Sequence, residues 1–158
     1  MIRIGQSTDI HRLEKGKTLI LGGIKIEAPY GAIAHSDGDC LVHAIAEAMI
    51  GALGRGDLGS HFSDRDPQYE NISSLVLLKT VCDMIKEHGY QIVNIDSLII
   101  LEAPKLRPYI DAMKKRLSDV MEIDSKKINI KATTAEGIGP IGQKQAIECQ
   151  AVVLLKED

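Results

Sequence analysis

Three of the five histidines in this 158-residue chain fall between residues 11 and 43. Asp9 and His11 stand at the end of a run, Ile2 to Asp9, that reads as a strand. Side chains two residues apart share one face of a strand, so this carboxylate and imidazole point the same way. His43 falls one turn into the helix that follows. A carboxylate and two imidazoles with an open fourth position suit a catalytic Zn²⁺. Asp-x-His pairs also arise by chance, and a histidine on a helix is more often a packing or surface residue. Spacing alone leaves both readings open.

Four further segments carry polar chemistry. His35-Ser36-Asp37-Gly38-Asp39 precedes the helix that holds His43. It fits a capped helix entry, and equally a phosphate site, since free N–H groups at a helix start favour anions. Asp57-Leu58-Gly59 and Phe62-Ser63-Asp64-Arg65-Asp66-Pro67 lie in a stretch, residues 55 to 72, that reads as a long loop. Turn chemistry accounts for the Asp, Gly and Pro there. The chain's only Phe sits among them, beside acidic groups suited to a sugar-like substrate. Thr133-Thr134-Ala135-Glu136 has capping-box spacing, but glycines and a proline follow where a helix should. Its hydroxyls and carboxylate would also suit phosphate oxygens and a hard cation. Gly137-Ile138-Gly139-Pro140-Ile141-Gly142 matches GxGxxG by letter only. Sixteen residues remain after Gly142, and they read as a strand, too few for a dinucleotide unit.

The elements that must position these groups follow from periodicity. Thr18 to Leu21 and Ile24 to Ile26 form a hairpin around Gly22-Gly23. Val42, Ile45, Ala46, Met49, Ile50 and Leu53 mark one helix face, stopped by Gly54 and Gly56. Ser73 or Ser74 caps a second helix with the stripe Leu75, Leu78, Cys82 and Ile85, ended by Gly89. Tyr90 to Leu101 reads as a strand. Pro108 opens a third helix, with Ile110, Met113, Leu117 and Val120 inward. Ile128, Ile130 and Ala132 alternate as a strand, and Ala146 to Leu155 makes the last one. Mixed rather than alternating elements favour a single α+β domain over residues 1 to 158, a mixed sheet with helices on one face.

Composition narrows the function. Hydrophobic residues make up 44% of the chain and charged residues 26%, which excludes disorder as the main state. One Phe, four Tyr and no Trp leave no base-stacking surface, and a net charge of −3 gives no basic footprint. Nucleic acid is therefore not an expected partner. No apolar run approaches the ~18 residues of a membrane span, and the N-terminus has no signal character. Cys40, Cys82 and Cys149 have neither CxxC nor Cys-His spacing, so free thiols in a reducing, cytoplasmic setting are expected.

In order and spacing, several segments together resemble the 2-C-methyl-D-erythritol 2,4-cyclodiphosphate synthase family across nearly the whole chain. They are Gly5 to Leu13, Leu21-Gly22-Gly23, His35 to Asp39, His43, Gly56 to Gly59, Phe62 to Pro67, Ala103-Pro104-Lys105 and Lys131 to Glu136. The resemblance implies a phosphorus–oxygen lyase of the non-mevalonate isoprenoid route. The 2-phosphate of 4-diphosphocytidyl-2-C-methyl-D-erythritol 2-phosphate would attack the β-phosphorus of the same molecule and release CMP. It implies a homotrimer whose sheets pack around a threefold axis, with a site at each subunit boundary. Asp9, His11 and His43 would hold Zn²⁺, and Glu136 would hold Mg²⁺ or Mn²⁺ on the diphosphate. His35 and Thr134 would stabilise the charge that develops in transfer, with Thr133 among the phosphate contacts. Asp57, aided by Phe62, Ser63, Asp64, Arg65 and Asp66, would hold the erythritol hydroxyls. Leu101, Glu102, Ala103, Pro104, Lys105, Leu106 and Arg107 would form the cytidine pocket. Ser36, Leu58, Gly59 and Ala135 complete the implied substrate contacts.

The pattern departs from the family at two places. Gln143 stands where an Arg is expected, removing a full positive charge, and Ser7 stands where a Gly is expected. Binding of a regulatory isoprenoid diphosphate along the trimer axis is put in doubt by the first. Two rival readings use the same residues: a metal-dependent phosphoesterase that activates water, and a non-enzymatic trimer with a structural metal. His61 and His88 read as ordinary surface residues.

Overall fold

The computed structural model describes all 158 residues. Strands β1 (Ile2–Lys15), β4 (Tyr30–Ala32), β5 (Tyr90–Ile100), β6 (Ile128–Thr133) and β7 (Ala146–Glu157) form one mixed sheet in the order β4-β1-β7-β5-β6. β7 lies at its centre, antiparallel to β1 from Ile2 to Arg12 and antiparallel to β5. The one parallel pair is β5 with β6. The hairpin β2 (Leu19–Leu21) and β3 (Ile24–Ile26) stands apart, turning at Gly22-Gly23 as the sequence predicts. This is the mixed α+β arrangement expected. β1 runs six residues further than the sequence suggests, and β4 has no counterpart in the prediction.

Helix α1 (Cys40–Leu53) lies along β1 and β7. It is buried on every side except at His43, Glu47 and Gly51. Those three are spaced by four, so they form one stripe down the helix. Helix α3 (Ser74–Glu87) packs against α1, and α4 (Ile110–Met121) against α3 and β6. Met113, Leu117 and Met121 are the buried positions of α4, while Ile110 and Val120 are only half-buried. Two four-residue helices complete the chain, α2 (Leu58–His61) and α5 (Gly139–Gly142). The first lies inside the predicted long loop, together with a 3₁₀ turn at Pro67–Tyr69.

The contact between α1 and β1 is set by Gly5. A Cβ there would stand 1.9 Å from the Ala48 carbonyl oxygen, so no other residue allows the helix this close. Both ends of α1 are also tied. The Arg3 guanidinium donates to the Ala52 carbonyl in the last turn, where a cation is favoured by the helix dipole. Asp39 caps the first turn, accepting from Val42 N at 3.0 Å. Its carboxylate also accepts from Gly22 N at 3.0 Å and Gly23 N at 2.7 Å, so one buried group pins the hairpin to the helix start.

The opposite face of the sheet carries no helix. Ile2, Ile4 and Ile10 of β1 and Val152 of β7 are exposed there. Asp96, Asn129 and Lys131 form a small polar cluster on the same face, with Asn129 and Lys131 both donating to the Asp96 carboxylate.

Burial pushes the Asp39 carboxyl from 3.8 up to about 6, against the pull of its backbone donors. The folded value lies above the unfolded one. Its contribution to stability is therefore complete below 3.8 and is lost as pH rises through about 6. Asp39→Asn should remove this dependence and strand one N–H, a loss of ~1–3 kcal/mol. In urea melts the wild type should gain on the variant between about pH 7 and about pH 4.5; a constant difference would contradict this assignment.

Candidate metal centre and substrate pockets

Asp9 and His11 lie on the face of β1 that meets α1, and His43 on the open stripe of the helix brings a third ligand to them. One ligand atom from each lies within 4.8 Å of the others. His11 Nε2 is 2.7 Å from Asp9 Oδ2, and His43 Nδ1 is 3.4 Å from the same oxygen. His11 Nε2 and His43 Nδ1 are 3.3 Å apart. His11 Nδ1 faces the Ile33 carbonyl at 3.3 Å, which orients that ring and leaves Nε2 for the centre.

Electrostatics agree with a cation site. Burial would raise Asp9, but hydrogen bonds and charge from His11 and His43 hold its carboxyl well below the usual carboxylate range. Burial would lower His11, but Asp9 outweighs it and raises the imidazole above 6.5. Positive charge is thus favoured here when protons are its only source. One carboxylate and two imidazoles, clustered and partly open, fit Zn²⁺ with room for a further ligand.

The cluster opens into a cavity of about 370 Å³. His35, Ser36, Leu58, Gly59, Phe62, Ser63 and Asp64, all among the expected substrate contacts, line it with His11 and His43. Tyr69, Ile72 and Leu77 line it too, and their sequence signal is only that of ordinary apolar positions. Phe62 meets Tyr69 edge-on at 5.6 Å. His35 Nε2 lies 3.2 Å from the Asp66 carbonyl, which ties the two rims of the cavity. Asp57, Arg65 and Asp66 are not among the lining residues. Asp57 caps α2 with a capping box, and Asp66 caps the 3₁₀ turn by accepting from Gln68 N at 3.0 Å. The Ser60 backbone N–H is the main cause of a lowered Asp57 carboxyl. His61 and His88 are exposed, each ring bonded to a nearby carbonyl.

A second cavity, about 760 Å³, lies beyond β5. It is lined by Leu101, Glu102, Pro104, Lys105, Leu106, Arg107, Thr133 and Thr134, and by Lys131 and Asp111. Ala103 is not a lining residue; its carbonyl accepts the Tyr30 hydroxyl. Glu102 has a second task. Its carboxylate accepts from Ala135 N at 3.0 Å and Gly137 N at 3.1 Å, closing the turn after β6. That turn replaces the helix a capping box would start. Glu136 sits within it in the left-handed region, φ 53°, its Oε1 3.3 Å from Thr134 Oγ1. The GxGxxG letters serve this tight turn and α5, since a Cβ on Gly142 would stand 2.2 Å from Gly137 C.

The predicted site residues therefore fall into two groups on one chain. Asp9, His11, His35 and His43 gather at β1 and α1. Thr133 lies on β6, with Thr134 and Glu136 in the turn after it. In the sheet order, β7 and β5 lie between β1 and β6, a separation of roughly 14 Å at ~4.8 Å per strand.

A carboxylate–diimidazole centre in one pocket, with a second pocket edged by lysine, arginine and threonines, is the frame of a metal-using enzyme. The YgbB family profile matches residues 2–156, and the chain belongs to that family. Over 154 residues it is 49% identical to the 2-C-methyl-D-erythritol 2,4-cyclodiphosphate synthase of Halothermothrix orenii, covering 98% of this chain and 93% of that one. The synthase of Natranaerobius thermophilus is 50% identical over 155 residues, 98% of each chain. Among solved structures, the chain is similar to the bifunctional IspDF from Campylobacter jejuni, with a TM-score of 0.96 and 36% identity. That match covers 100% of this chain and 43% of the other. The CDP complex of IspF from Plasmodium falciparum aligns with a TM-score of 0.87 and 38% identity, over 99% of this chain and 97% of that one.

Asp9 contributes no apolar packing, so the core should survive its loss. Asp9→Ala should lower bound zinc from about one per chain to near none by elemental analysis, with the metal-free melting temperature little changed. Loss of the folded state would point instead to a structural metal.

Proposed function

We propose that this chain catalyses cyclisation of 4-diphosphocytidyl-2-C-methyl-D-erythritol 2-phosphate to 2-C-methyl-D-erythritol 2,4-cyclodiphosphate with release of CMP. The observation that carries the reading is the Asp9/His11/His43 cluster opening into a small pocket, in a chain about half identical to synthases of that name. An oxygen of the 2-phosphate bonds to the β-phosphorus. The bond from that phosphorus to the α–β bridging oxygen breaks, and CMP leaves with its electrons. A phosphate monoester has a second pKa near ~6, so the nucleophile is largely a dianion at neutral pH and needs no general base. The obstacle is one anion approaching another, which positioning and charge neutralisation overcome.

Zn²⁺ on Asp9, His11 and His43, with Mg²⁺ or Mn²⁺ on Glu136, would supply positive charge to the phosphate oxygens. A single carboxylate with substrate phosphates and water is an ordinary Mg²⁺ environment, which the Glu136 turn fits. His35 and Thr134 donate to phosphoryl oxygens whose charge changes in transfer. Thr133 and Ser36 add phosphate contacts, Ala135 lies in the turn, and Glu102 holds that turn in place. Asp57, with the rim from Phe62 to Asp66, receives the erythritol hydroxyls. The larger cavity, with Lys105 and Arg107, takes the cytidine.

The two groups are proposed to meet across subunits of a homotrimer, one chain giving the metal centre and its neighbour the Thr134–Glu136 turn. Their separation within one chain supports this, as does the open sheet face with its exposed isoleucines. Gln143 is exposed beside that turn, where the missing Arg charge weakens any anion site on the axis. Three unpaired cysteines support a cytoplasmic setting, and no helix is long and apolar enough to cross a membrane.

The test is a ³¹P NMR time course with the purified protein, Zn²⁺, Mg²⁺ and the diphosphocytidyl substrate. CMP together with a pair of coupled cyclic-diphosphate resonances is expected. Inorganic phosphate would show a hydrolase instead, and an unchanged spectrum from folded, metal-loaded protein would overturn the activity.

A further inference from the structure

His43 presents Nδ1 to Asp9 and His11, so its other nitrogen points away from the centre. His43 Nε2 lies 2.8 Å from Ser74 Oγ and 3.1 Å from Ser36 Oγ. Ser74 is fully buried. It is the first residue of α3, but its hydroxyl does not cap that helix. The hydroxyl donates to Asp37 Oδ1, and the Ser74 backbone N–H donates to Asp37 Oδ2 at 2.9 Å. Asp37 thus takes over the capping role that Ser73 leaves unfilled, since Ser73 makes no side-chain cap bond.

The direction of this chain is fixed by what each group can do. A carboxylate only accepts, so the Ser74 hydrogen points at Asp37. Ser74 Oγ then offers a lone pair to His43, and that lone pair is satisfied only by an N–H on Nε2. A neutral imidazole carries one ring hydrogen, so Nδ1 is left with its lone pair directed at Asp9 and His11. Ser36 does not oppose this, because its oxygen also accepts, from Gly38 N at 3.4 Å.

We propose that Asp37 and Ser74 are positioning residues whose Asp37–Ser74–His43 hydrogen-bond chain holds His43 as the Nε2–H tautomer and so presents Nδ1 to the metal. The proposal rests on the metal-centre reading and deepens it. The same chain ties the metal centre to the pocket rim. Asp37 N donates to the Ile72 carbonyl at 3.1 Å, and Asn71 N donates to the His35 carbonyl at 2.8 Å. Ser74 lies two residues beyond Ile72. A shift of the rim would therefore be felt at His43.

Two measurements test this. In metal-free wild type, ¹⁵N NMR of the neutral form of the His43 ring should show the hydrogen on Nε2. A hydrogen on Nδ1, or an even mixture, would overturn the proposal even if no variant folds. In competition with a chromophoric chelator, Ser74→Ala should bind Zn²⁺ about 10–100-fold more weakly, and Ser74→Thr, which keeps the hydroxyl, should recover most of the loss. Unchanged affinity in folded Ser74→Ala would overturn it. The wild type keeps the two readings separable. A protein that binds no zinc yet shows the Nε2–H ring loses the metal centre and keeps the hydrogen-bond chain.

Discussion

The site depends on how closely α1 is seated on β1. Gly5 allows the helix backbone to rest on the strand, Arg3 holds its last turn, and Asp39 holds its first. Gly5, Asp9 and His11 share one face of the strand, so the groove that receives the helix also carries two ligands. The helix then has one angular position in which its apolar residues are all buried. In that position the stripe left open is His43, Glu47 and Gly51. Hydrophobic burial around the rest of α1 thereby aims His43. Each buried aliphatic side chain contributes about 1.5–3 kcal/mol toward that orientation, far more than a hydrogen bond between two metal-site residues. Glu47, next on the stripe, accepts from Leu58 N at 2.7 Å and fixes the start of the pocket rim.

Charge is handled differently toward the two ends of the sheet. The metal-centre end concentrates a carboxylate and two imidazoles that hold one another. The other end offers Lys105, Lys131, Arg107 and the backbone turn closed by Glu102. A reaction that brings an anion onto an anionic phosphorus calls for both neutralisation and alignment, which is the chemical ground for the proposal that the two groups meet across subunits.

Much of the frame was legible in the sequence because long elements repeat their period. The α1 face from Val42 to Leu53 and the stop at Gly54 follow from 3.6-residue spacing, β6 follows from alternation, and β5 and β7 read as long strand-like runs. β4 was not legible, since three residues, Tyr30-Gly31-Ala32, are too few to show a period. Asp9 and His11 were legible as a pair for the same reason of period, and His43 by its place on the helix. The partners that orient them were not. Ser74 is 37 residues from Asp37 and 31 from His43, and only the packing of α3 against α1 brings them together. Glu102 reads as one more pocket residue until its two backbone donors are seen. Asp57 and Asp66 show the converse: turn chemistry accounts for their types, and each does cap a turn.

One carboxylate and two imidazoles, brought together by the seating of α1, could hold a metal ion with no help from sulfur. Cys40 makes this a sharp question, because its thiol donates to the Asp9 carbonyl at 3.3 Å and sulfur would be a strong competing ligand. X-ray absorption at the zinc edge of the loaded protein tests it most directly. Nitrogen and oxygen neighbours at ~2.0 Å are expected, with the outer scattering of two imidazoles. Scattering from sulfur near ~2.3 Å, or from a single imidazole, would contradict it.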